Sequence, residues 1–545
     1  MDAHYVGLPP GLPYMVRMES IGGDLSTMAP RPFADGQLAA IRAISTSRHY
    51  RPGEIVLEAG EALDRFVLVE EGEIEVADPE TGERLLPATL KPGQFMGELS
   101  FLNGGPMTLT MRACAATRTL EAPRPDMLRL MSEVPEIGDH VLTVFSARRR
   151  RIFEAGDSSL VVRGAEGDPA VARVASFLNR NRIPFHEEEE GEPGVIWSGK
   201  TIPDPTPRAV ARHLGLDLKA APGEALDLVI VGAGPAGVAA AVYAGSEGLR
   251  ALVVEDSAIG GQAGTSSRIE NYMGFPTGIS GADLTFRGQV QAMKFGTCFA
   301  MPRRVEGLAR RESGFCVTLD DGEELCTRSV LVATGVQYRR LPLDRLAEFE
   351  GAGVYYAATE MEARLCSETE AVVVGGGNSA GQAAMYLSRV AKQVHLLVRG
   401  TGLAETMSAY LRERLEADPR IIIHTGSQLE RLDGTGHLER VVVATPSGSV
   451  TIACRALFIM IGAAPNTGWL SGLVELDDHG FVRTGAEVGA PSSYATSCPG
   501  VFAVGDVRSG SVKRVASSVG EGSVVVSAIW SYVNAPPPHA VGIGG

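Results

Sequence analysis

Two glycine-rich segments, each placed between an apolar strand and a helix of small residues, most constrain how this chain folds. The first reads DLVIVGAGPAGVAAAVYAGSEGLRALVVE and the second reads EAVVVGGGNSAGQAAMYLSRVAKQVHLLVRG. Each predicts a strand, a tight turn, a helix and a second strand, the arrangement that binds a dinucleotide. One glycine motif alone is a weak signal, but two in tandem and in the same context are strong. The sequence therefore predicts two nucleotide-binding units of α/β architecture.

The first segment contains the residue types that hold a pyrophosphate and a ribose. Gly232 permits the tight turn, Gly234 lets the backbone approach the pyrophosphate, and Gly237 permits close packing of helix against strand. The helix N-terminus offers unpaired N–H groups and a partial positive charge to that anion. Glu255 ends the second strand, where a carboxylate accepts ribose hydroxyls. We therefore expect a dinucleotide at this turn.

From about Gly223 to Ala535 the chain resembles the flavoprotein thioredoxin reductases. The loop at Gly260, the strand LVATG (331–335) and the segment PGVFAVGDVRSGSVKRVASSVGEGSVVV match flavin motifs of that family. The resemblance implies FAD, with Asp506 on the ribityl chain and a helix N-terminus facing the pyrimidine edge of the flavin. In addition to the residues of the first turn, the resemblance assigns the following residues to FAD: Gly261, Gln262, Asn271, Gly335, Gly505, Asp506, Arg514, Val515 and Ala516.

The second segment predicts a site for a pyridine nucleotide. Its turn and the start of its helix are formed by Gly375, Gly377, Asn378 and Ser379. Val398 occupies the place that corresponds to Glu255, so no carboxylate meets a ribose 2′-hydroxyl, and the adjacent Arg399 is suited to a 2′-phosphate. Arg399 alone remains of the basic set that NADPH-using thioredoxin reductases show. NADPH is favoured, while NADH, or impaired use of either nucleotide, stays open.

The redox centre of the resembled family is altered in this chain. Thioredoxin reductases have a C-A-T-C pair stacked against the flavin, whereas this chain has Ala357 and Glu360 at those positions. Alanine forms no mixed disulfide, so thiol exchange cannot run there. Cys366 follows Glu360 at about 9 Å of helical rise, too far to substitute in the same pose. Glu360 is either a solvated helix residue or an acid or charge partner for a new substrate.

The N-terminal part predicts two further modules. Strand alternation with glycine turns, followed by a helix, indicates a β-roll that resembles cyclic-nucleotide-binding domains. Gly97, Glu98 and Leu99 match the phosphate cassette of that family, but Met107 replaces the arginine that pairs with the cyclic phosphate. We therefore expect a degenerate roll, used for docking or dimerisation, without cyclic nucleotide. Residues 158–216 resemble a shrunken glutaredoxin-like module without cysteine, which suits a spacer or docking role.

The predicted fold class is α/β, with two Rossmann-like domains of thioredoxin reductase type preceded by the β-roll and the small α/β module. The predicted limits are 30–153 for the roll, 158–216 for the module, 224–338 and 465–535 for the FAD-binding domain, and 339–464 for the NAD(P)-binding domain. We expect these domains to form a homodimer.

Composition narrows the class of protein and its partners. The net charge of −15 disfavours nucleic acid and anionic membranes as partners. No apolar run approaches the roughly 20 residues of a membrane helix, and the N-terminus lacks the layout of a signal peptide. Seven scattered cysteines without a C-x-x-C indicate a reduced cytoplasm and no metal site.

The functional hypothesis is an FAD-dependent oxidoreductase in which hydride passes from NAD(P)H to the flavin. The electrons would then pass to a non-dithiol acceptor: a quinone, a ferredoxin-like carrier, oxygen or a small metabolite. Two alternatives stay open at this point. One is a thioredoxin-disulfide reductase that uses another cysteine, and the other is a non-catalytic flavin redox sensor.

Overall fold

The structure is a computed structural model that divides into two compact units. One unit contains the described parts of Met1–Gly335 and Thr467–Gly545, and the other is Val336–Asn466. The described residues are 32–77, 82–84, 89–97, 100–105, 107, 109–155, 160–164, 168–181, 183, 185–188, 191–197, 200–202, 205–214, 216–217, 226–265, 269, 272–350, 352–356, 358, 363, 365–367, 369–403, 407–470 and 472–535.

The larger unit begins with a β-roll. Its elements are α1 (Asp35–Ala43), β1 (Thr46–Tyr50), β2 (Ile55–Leu57), β3 (Arg65–Glu71), β4 (Ile74–Ala77), α2 (Ser100–Asn103), β5 (Thr110–Ala113), β6 (Thr117–Pro123), α3 (Arg124–Glu133) and α4 (Pro135–Ala155). The strands form two antiparallel sheets, in the orders β1-β6-β3 and β2-β5-β4. Their core includes a chain of aromatic rings, in which Phe95 contacts Phe66 and the α4 residue Phe145. Large apolar side chains therefore fill the space between the two small sheets.

A small α/β module follows. Its elements are β7 (Leu160–Arg163), α5 (Pro169–Arg180), β8 (His186–Glu188), β9 (Gly194–Trp197), β10 (Lys200–Ile202) and α6 (Pro207–His213). The sheet order is β10-β9-β7-β8, with β7 parallel to β8 and the other neighbours antiparallel. Helix α5 begins where Asp168 accepts hydrogen bonds from the backbone N–H groups of Ala170 and Val171, a side-chain N-cap. The likeness to glutaredoxin stays a prediction.

The chain then builds the first nucleotide-binding fold. Its elements are β11 (Leu226–Val231), α7 (Pro235–Ser246), β12 (Ala251–Val254), α8 (Gly281–Lys294), β13 (Cys298–Ala300), β14 (Val305–Arg311), β15 (Gly314–Leu319) and β16 (Glu324–Val332). The sheet order is β13-β12-β11-β16-β15-β14. Strands β11, β12, β13 and β16 are parallel, and β14 to β16 form an antiparallel meander. All six residues of β11 are buried, as expected for a strand covered on both faces.

The smaller unit is the second nucleotide-binding fold. Its elements are β17 (Val336–Tyr338), α9 (Leu346–Phe349), β18 (Val354–Tyr355), β19 (Glu370–Val374), α10 (Asn378–Leu387), β20 (Gln393–Val398), α11 (Ala409–Ala417), β21 (Ile421–Thr425), β22 (Gln428–Gly434), β23 (Leu438–Thr445), β24 (Gly448–Ala453), β25 (Ala456–Ile459) and β26 (Ala463–Pro465). A parallel sheet has the order β18-β25-β19-β20-β21, and β22-β23-β24 form an antiparallel sheet.

After this unit the chain returns to the larger one and completes its sheet. Strand β27 (Val501–Ala503) pairs in parallel with β16, and helix α12 (Val515–Val533) packs on α7. The two helices approach closely because Gly522 lacks a side chain, and a Cβ there would lie 2.2 Å from the carbonyl oxygen of Ala236. This contact brings the N-terminal half of α12 to the first glycine turn.

Within the larger unit, the roll and the small module both contact the nucleotide-binding fold. A single hydrophobic cluster includes Val141 of α4 and Met293 of α8, and Lys294 pairs with Asp139 at 3.1 Å. From the module, the side-chain amide of Asn181 donates to the carbonyl oxygen of Ser257 at 3.2 Å. Among the described residues, no helix is long and apolar enough to cross a membrane.

Candidate functional site

The first glycine turn needs glycine for two separate physical reasons. Gly232 has a φ of +102°, and a Cβ there would lie 2.5 Å from the carbonyl oxygen of Ala333. Gly237 lies on α7 so close to the turn that its Cβ would lie 1.9 Å from the carbonyl oxygen of Gly232. At Gly234 the situation is reversed, since a Cβ there would meet no atom within 4 Å. The turn is therefore closed on the strand side and open beside Gly234.

The carboxylate of Glu255 is buried against this turn. Its Oε2 accepts from the backbone N–H of Ala233 at 2.8 Å, and its Oε1 accepts from those of Ser257 and Ala258 at 3.0 and 3.2 Å. Burial and the adjacent Asp256 raise the pKa of the Glu255 carboxyl above its ordinary value, while the backbone donors act in the opposite direction. The carboxylate is thus fixed in orientation at the end of β12.

Two loops meet at the N-terminus of α7. The N–H of Gly260 donates to the carbonyl oxygen of Ala233 at 2.8 Å, and a Cβ on Gly261 would lie 3.2 Å from the Cα of Gly234. From the far end of the chain, a Cβ on Gly505 would lie 3.1 Å from the Cβ of Ala236. The structure therefore gathers the glycines of the first turn, Gly261 and Gly505 around one helix terminus, and Gln262 is exposed.

Asp506 has an incompletely satisfied carboxylate. Its Oδ1 is buried and has no hydrogen-bond partner among the described residues. Burial raises the pKa of Asp506, Lys513 lowers it and Glu521 raises it further. A buried polar atom without a partner costs about 1–3 kcal/mol, so it points to a donor that a ligand supplies.

Glu521 is a residue of this site that the sequence reasoning missed. It lies on α12, is buried, and accepts from the backbone N–H of Gly505 at 2.7 Å and from the guanidinium of Arg508 at 2.7 Å. It therefore fixes the turn that carries Asp506. The signal was present in the sequence, because Glu521 is the single charged residue in the run VASSVGEGSVVVSAIWSYV.

The start of α12 and Gly335, which follows β16, are the remaining described parts of the flavin motifs predicted from the sequence. Arg514 is the N-cap residue of α12, with an extended backbone and an exposed side chain. Val515 is half-buried and Ala516 is exposed in the first turn of the helix. Gly335 has a φ of +60° and open space where a Cβ would lie. The unpaired N–H groups at this helix terminus give it a partial positive charge.

The second glycine turn repeats this construction in the smaller unit. Gly375 has a φ of +147°, and a Cβ there would lie 2.4 Å from the carbonyl oxygen of Met460. Gly377 is the N-cap residue of α10, whose first residues Asn378 and Ser379 are exposed. The side-chain oxygen of Asn378 accepts from the backbone N–H of Ser408 at 2.9 Å, which ties the following loop to the helix start.

The residues at the end of β20 differ in exposure. Val398 is buried in the core of the smaller unit, and Arg399 is exposed directly after it. Val398 therefore offers neither a polar atom nor an accessible surface, while the guanidinium of Arg399 is accessible to solvent.

Three predicted site residues lie outside the described residues: Asn271, Ala357 and Glu360. Glu98 and Leu99 of the phosphate cassette are also outside them. Of the cysteines in the smaller unit, Cys366 and Cys454 are both buried. Burial, together with Cys366 and Glu370, raises the pKa of the Cys454 thiol to about 12. Neither sulfur is in a state suited to thiol exchange, which needs an accessible thiolate.

The cassette region of the roll is closed by its own side chains. Met107 is buried in the hydrophobic core. A Cβ on Gly97 would lie 3.0 Å from the ring of Phe145, and the guanidinium of Arg148 donates to the carbonyl oxygen of Gly97 at 3.1 Å. Arg112 of β5, another arginine of the roll, pairs with Glu75 at 2.5 Å.

Comparison with known proteins identifies the family to which this chain belongs. Residues 226–522, more than half of the chain, match the family described as pyridine nucleotide-disulphide oxidoreductases. The chain belongs to that family. Residues 47–134 match the cyclic nucleotide-binding domain. The predicted resemblance and fold class are both confirmed.

Several relatives are named thioredoxin reductases. That of Treponema pallidum is 34% identical over 310 residues, which are 56% of this chain and 97% of the relative. An NADPH-dependent thioredoxin reductase 3 from Arabidopsis thaliana is 33% identical over 57% of this chain and 59% of its own length. The crystal structure of thioredoxin reductase from Streptococcus pyogenes superposes with a TM-score of 0.51 at 29% identity, over 57% of this chain and 98% of that one.

Thioredoxin reductases are FAD- and NADPH-dependent flavoproteins, so the cofactor prediction is confirmed at the level of the family. The residues of this chain fit the flavin. Open space lies beside Gly234 at a helix N-terminus, where a pyrophosphate would otherwise meet a side chain. The Oδ1 of Asp506, for which the described part of the chain provides no partner, is an acceptor for a hydroxyl donor.

Proposed function

We propose that this protein is an FAD-dependent NAD(P)H oxidoreductase that delivers electrons to an acceptor other than a dithiol. The supporting observation is the placement of its cysteines. The sequence has Ala357 and Glu360 in the two cysteine positions of the family, and Cys366, the cysteine nearest in the sequence to that site, is buried, as is Cys454 of the same unit. Acceptors consistent with this are a quinone, a ferredoxin-like carrier, oxygen or a small metabolite.

We assign the FAD site to residues 224–338 and 465–535. When bound, FAD would supply a two-electron carrier between the nicotinamide and the acceptor. Gly234 and the start of α7 would bind its pyrophosphate, Glu255 would accept from a ribose, and Asp506 would accept from the ribityl chain. The N-terminus of α12, from Arg514 to Ala516, would stabilise negative charge at the pyrimidine edge. Asn271 and Gln262 belong to the same proposed set.

We assign the pyridine nucleotide to residues 339–464. The turn from Gly375 to Gly377 and the exposed start of α10 would bind its pyrophosphate. Arg399 would pair with a 2′-phosphate, because it is accessible and adjoins a strand end that has no carboxylate. NADPH is therefore the proposed donor.

Thioredoxin-disulfide reduction is the second candidate, and several relatives favour it because they are named thioredoxin reductases. It requires a cysteine pair able to exchange with a partner disulfide. Cys366 and Cys454 would have to leave a buried environment, and the raised pKa of Cys454 disfavours its thiolate. These features support the non-dithiol acceptor over this candidate.

The test separates the reduction of the flavin from its reoxidation. The full-length yellow protein is mixed anaerobically with NADPH or NADH in a stopped-flow instrument, and flavin bleaching is followed. The reduced protein is then mixed with a quinone, ferredoxin, oxygen, or oxidised thioredoxin. The proposal expects bleaching by NADPH and reoxidation by one of the first three acceptors.

Two results would contradict the proposal. Rapid reoxidation by thioredoxin that Cys366→Ser abolishes would establish the disulfide reductase, with Cys298→Ser as the matched control. Absence of bleaching by both nucleotides in an FAD-loaded protein would favour a redox sensor. The variant Glu360→Gln tests the proposed acid, and an unchanged reoxidation rate would show that Glu360 takes no part in the transfer.

A further inference from the structure

Two cysteines of the larger unit lie directly opposite each other on neighbouring strands. In the antiparallel register of β15 and β16, Cys316 is paired with Cys326. Both are free thiols. Phe315 and Val317 belong to the hydrophobic core, so the side chains that alternate with them project from the opposite face of the sheet. The two sulfurs therefore share one face, on strands next to each other.

The hydrogen-bond pattern of the hairpin fixes how close the two residues come. The N–H of Leu319 donates to the carbonyl oxygen of Glu323 at 2.9 Å, which makes that pair a hydrogen-bonded one. Hydrogen-bonded and non-hydrogen-bonded pairs alternate along an antiparallel ladder. Three steps along the register, the Cys316–Cys326 pair is therefore a non-hydrogen-bonded one, whose Cα atoms lie about 4.5 Å apart. That separation is within the range of about 4.4–6.8 Å that a disulfide spans.

The two thiols differ in accessibility, and a cation adjoins both. Cys316 is buried, Cys326 is exposed at the start of β16, and the guanidinium of Arg311 lies beside them. Burial raises the pKa of Cys316, its contact with Glu324 raises it too, and its contact with Arg311 lowers it. An exposed thiol beside a buried partner and an arginine is the arrangement of an attacking and a resolving cysteine.

We propose that Cys316 and Cys326 form an oxidisable dithiol, a cross-strand modification site that hydrogen peroxide converts to a disulfide. The Cys326 thiolate attacks one peroxide oxygen, the O–O bond breaks, and the products are a sulfenic acid and water. The Cys316 sulfur then attacks the sulfenic sulfur, forms the S–S bond and releases a second water. Two thiols lose two electrons and two protons, and one peroxide gains them.

This site is separate from the flavin site proposed above. Cys326 precedes Ala333, which contacts the first glycine turn, by seven residues of extended chain. At about 3.3 Å per residue that is about 23 Å. The dithiol therefore does not substitute for the C-A-T-C pair, and its oxidation does not depend on which electron acceptor the enzyme uses.

The experiment uses the folded full-length protein with its flavin. It is treated with hydrogen peroxide, remaining thiols are alkylated with N-ethylmaleimide under denaturing conditions, and the digest is analysed by mass spectrometry. Trypsin leaves both cysteines in one peptide, Glu312–Arg328, because no Lys or Arg lies between. The expected peptide lacks both adducts, is lighter by two hydrogens, and gains two adducts after prior treatment with dithiothreitol. Intact protein should lose two of its seven thiols.

The variants decide whether this pair is responsible. Cys326→Ser changes an exposed residue, so it should fold, and its Cys316 should stay fully alkylated after peroxide. Cys298→Ser removes the other exposed thiol and should form the disulfide as wild type does. Wild-type peptide that keeps both adducts, or that acquires sulfinic acid on Cys326 while Cys316 is alkylated, would overturn the proposal. A disulfide that joins Cys298 to either cysteine would also overturn it.

Discussion

Glu521 accepts a hydrogen bond of 2.7 Å from the backbone N–H of Gly505, and so a residue in helix α12 fixes the turn that carries Asp506. The same carboxylate pairs with Arg508 at 2.7 Å. The acceptor Oδ1 of Asp506 thus has a defined position before any ligand arrives. Such preorganisation lowers the entropic cost of binding, because the loop is already ordered.

The first prediction concerns this turn. Asp506→Asn should weaken FAD binding by about 1.5–3 kcal/mol, roughly one to two decades in Kd, because a charged acceptor is lost. Glu521→Ala should weaken it through disorder of the turn, whereas Glu521→Gln should retain part of the affinity, since its amide oxygen still accepts from Gly505. The measurement is flavin fluorescence during reconstitution of the apoprotein. Equal affinities in Glu521→Ala and wild type would show that the turn holds its own shape.

The second prediction concerns the packing of the first glycine turn. Gly237→Ala should destabilise the larger unit, because its Cβ would lie 1.9 Å from the carbonyl oxygen of Gly232. Overpacking of this kind costs about 1–3 kcal/mol. The control is Gly520→Ala on α12, because a Cβ at that position would meet no atom within 4 Å. Gly248 is unsuitable as a control because its φ is positive. Thermal unfolding should show a lower Tm for Gly237→Ala only, and a reversed order would contradict the tight turn.

The third prediction concerns the β-roll. Cyclic AMP and cyclic GMP should give no binding heat at micromolar concentrations in calorimetry. The reason is structural as well as chemical: Met107 is buried in the core, Phe145 covers Gly97, and Arg112 is engaged by Glu75. An uncompensated phosphate would be poorly solvated there. Micromolar binding that Arg112→Ala abolishes would mean that this arginine leaves Glu75 for the phosphate.

Local chemistry explains which of these features the sequence predicted. The turn glycines are read directly, because a positive φ and a missing Cβ leave a fixed spacing next to apolar strands. The buried strand β11 follows from its uninterrupted apolar run. Arg399 and Val398 could be placed at a strand end from the same spacing.

Other features depend on distant parts of the chain meeting, which no local pattern encodes. Glu521 reaches Gly505 only because α12 packs on α7, and that contact requires the tertiary fold. The pairing of Cys316 with Cys326 depends on the register of one hairpin, and a shift of one residue would separate them. Phe145, which closes the phosphate cassette, comes from a helix about fifty residues further along the chain.

The fourth prediction concerns nucleotide choice. Arg399→Ala should cost about 1.5–3 kcal/mol with NADPH, roughly one to two decades in KM, because a charge-assisted pair with the 2′-phosphate is lost. Flavin reduction by NADH should barely change. Arg389→Ala is the matched control, because this arginine is also exposed but lies just beyond the C-terminal end of α10. Equal losses with both nucleotides would assign Arg399 to positioning of the loop, and a wild type that prefers NADH would refute the proposed donor.

The fifth prediction concerns a chain of titratable groups across the parallel sheet of the smaller unit. His395 lies between Glu370, at 3.1 Å, and His424, at 2.9 Å. Burial lowers the pKa of His395 although Glu370 raises it, and burial with His395 lowers the pKa of His424. A histidine whose pKa is depressed in the folded state contributes stability above its unfolded pKa of about 6.5, and this stability is lost as pH falls.

The thermal stability of this unit should therefore decrease on acidification from about pH 7.5 to about pH 5.5. His424→Gln removes one titrating ring and relieves the repulsion on the other, so its Tm should fall less over the same range. His437→Gln, at an exposed position of the same unit, should follow wild type. Calorimetric scans at the two pH values provide the comparison. Identical pH dependence in His424→Gln and wild type would show that carboxylates, rather than these histidines, control the acid stability of the unit.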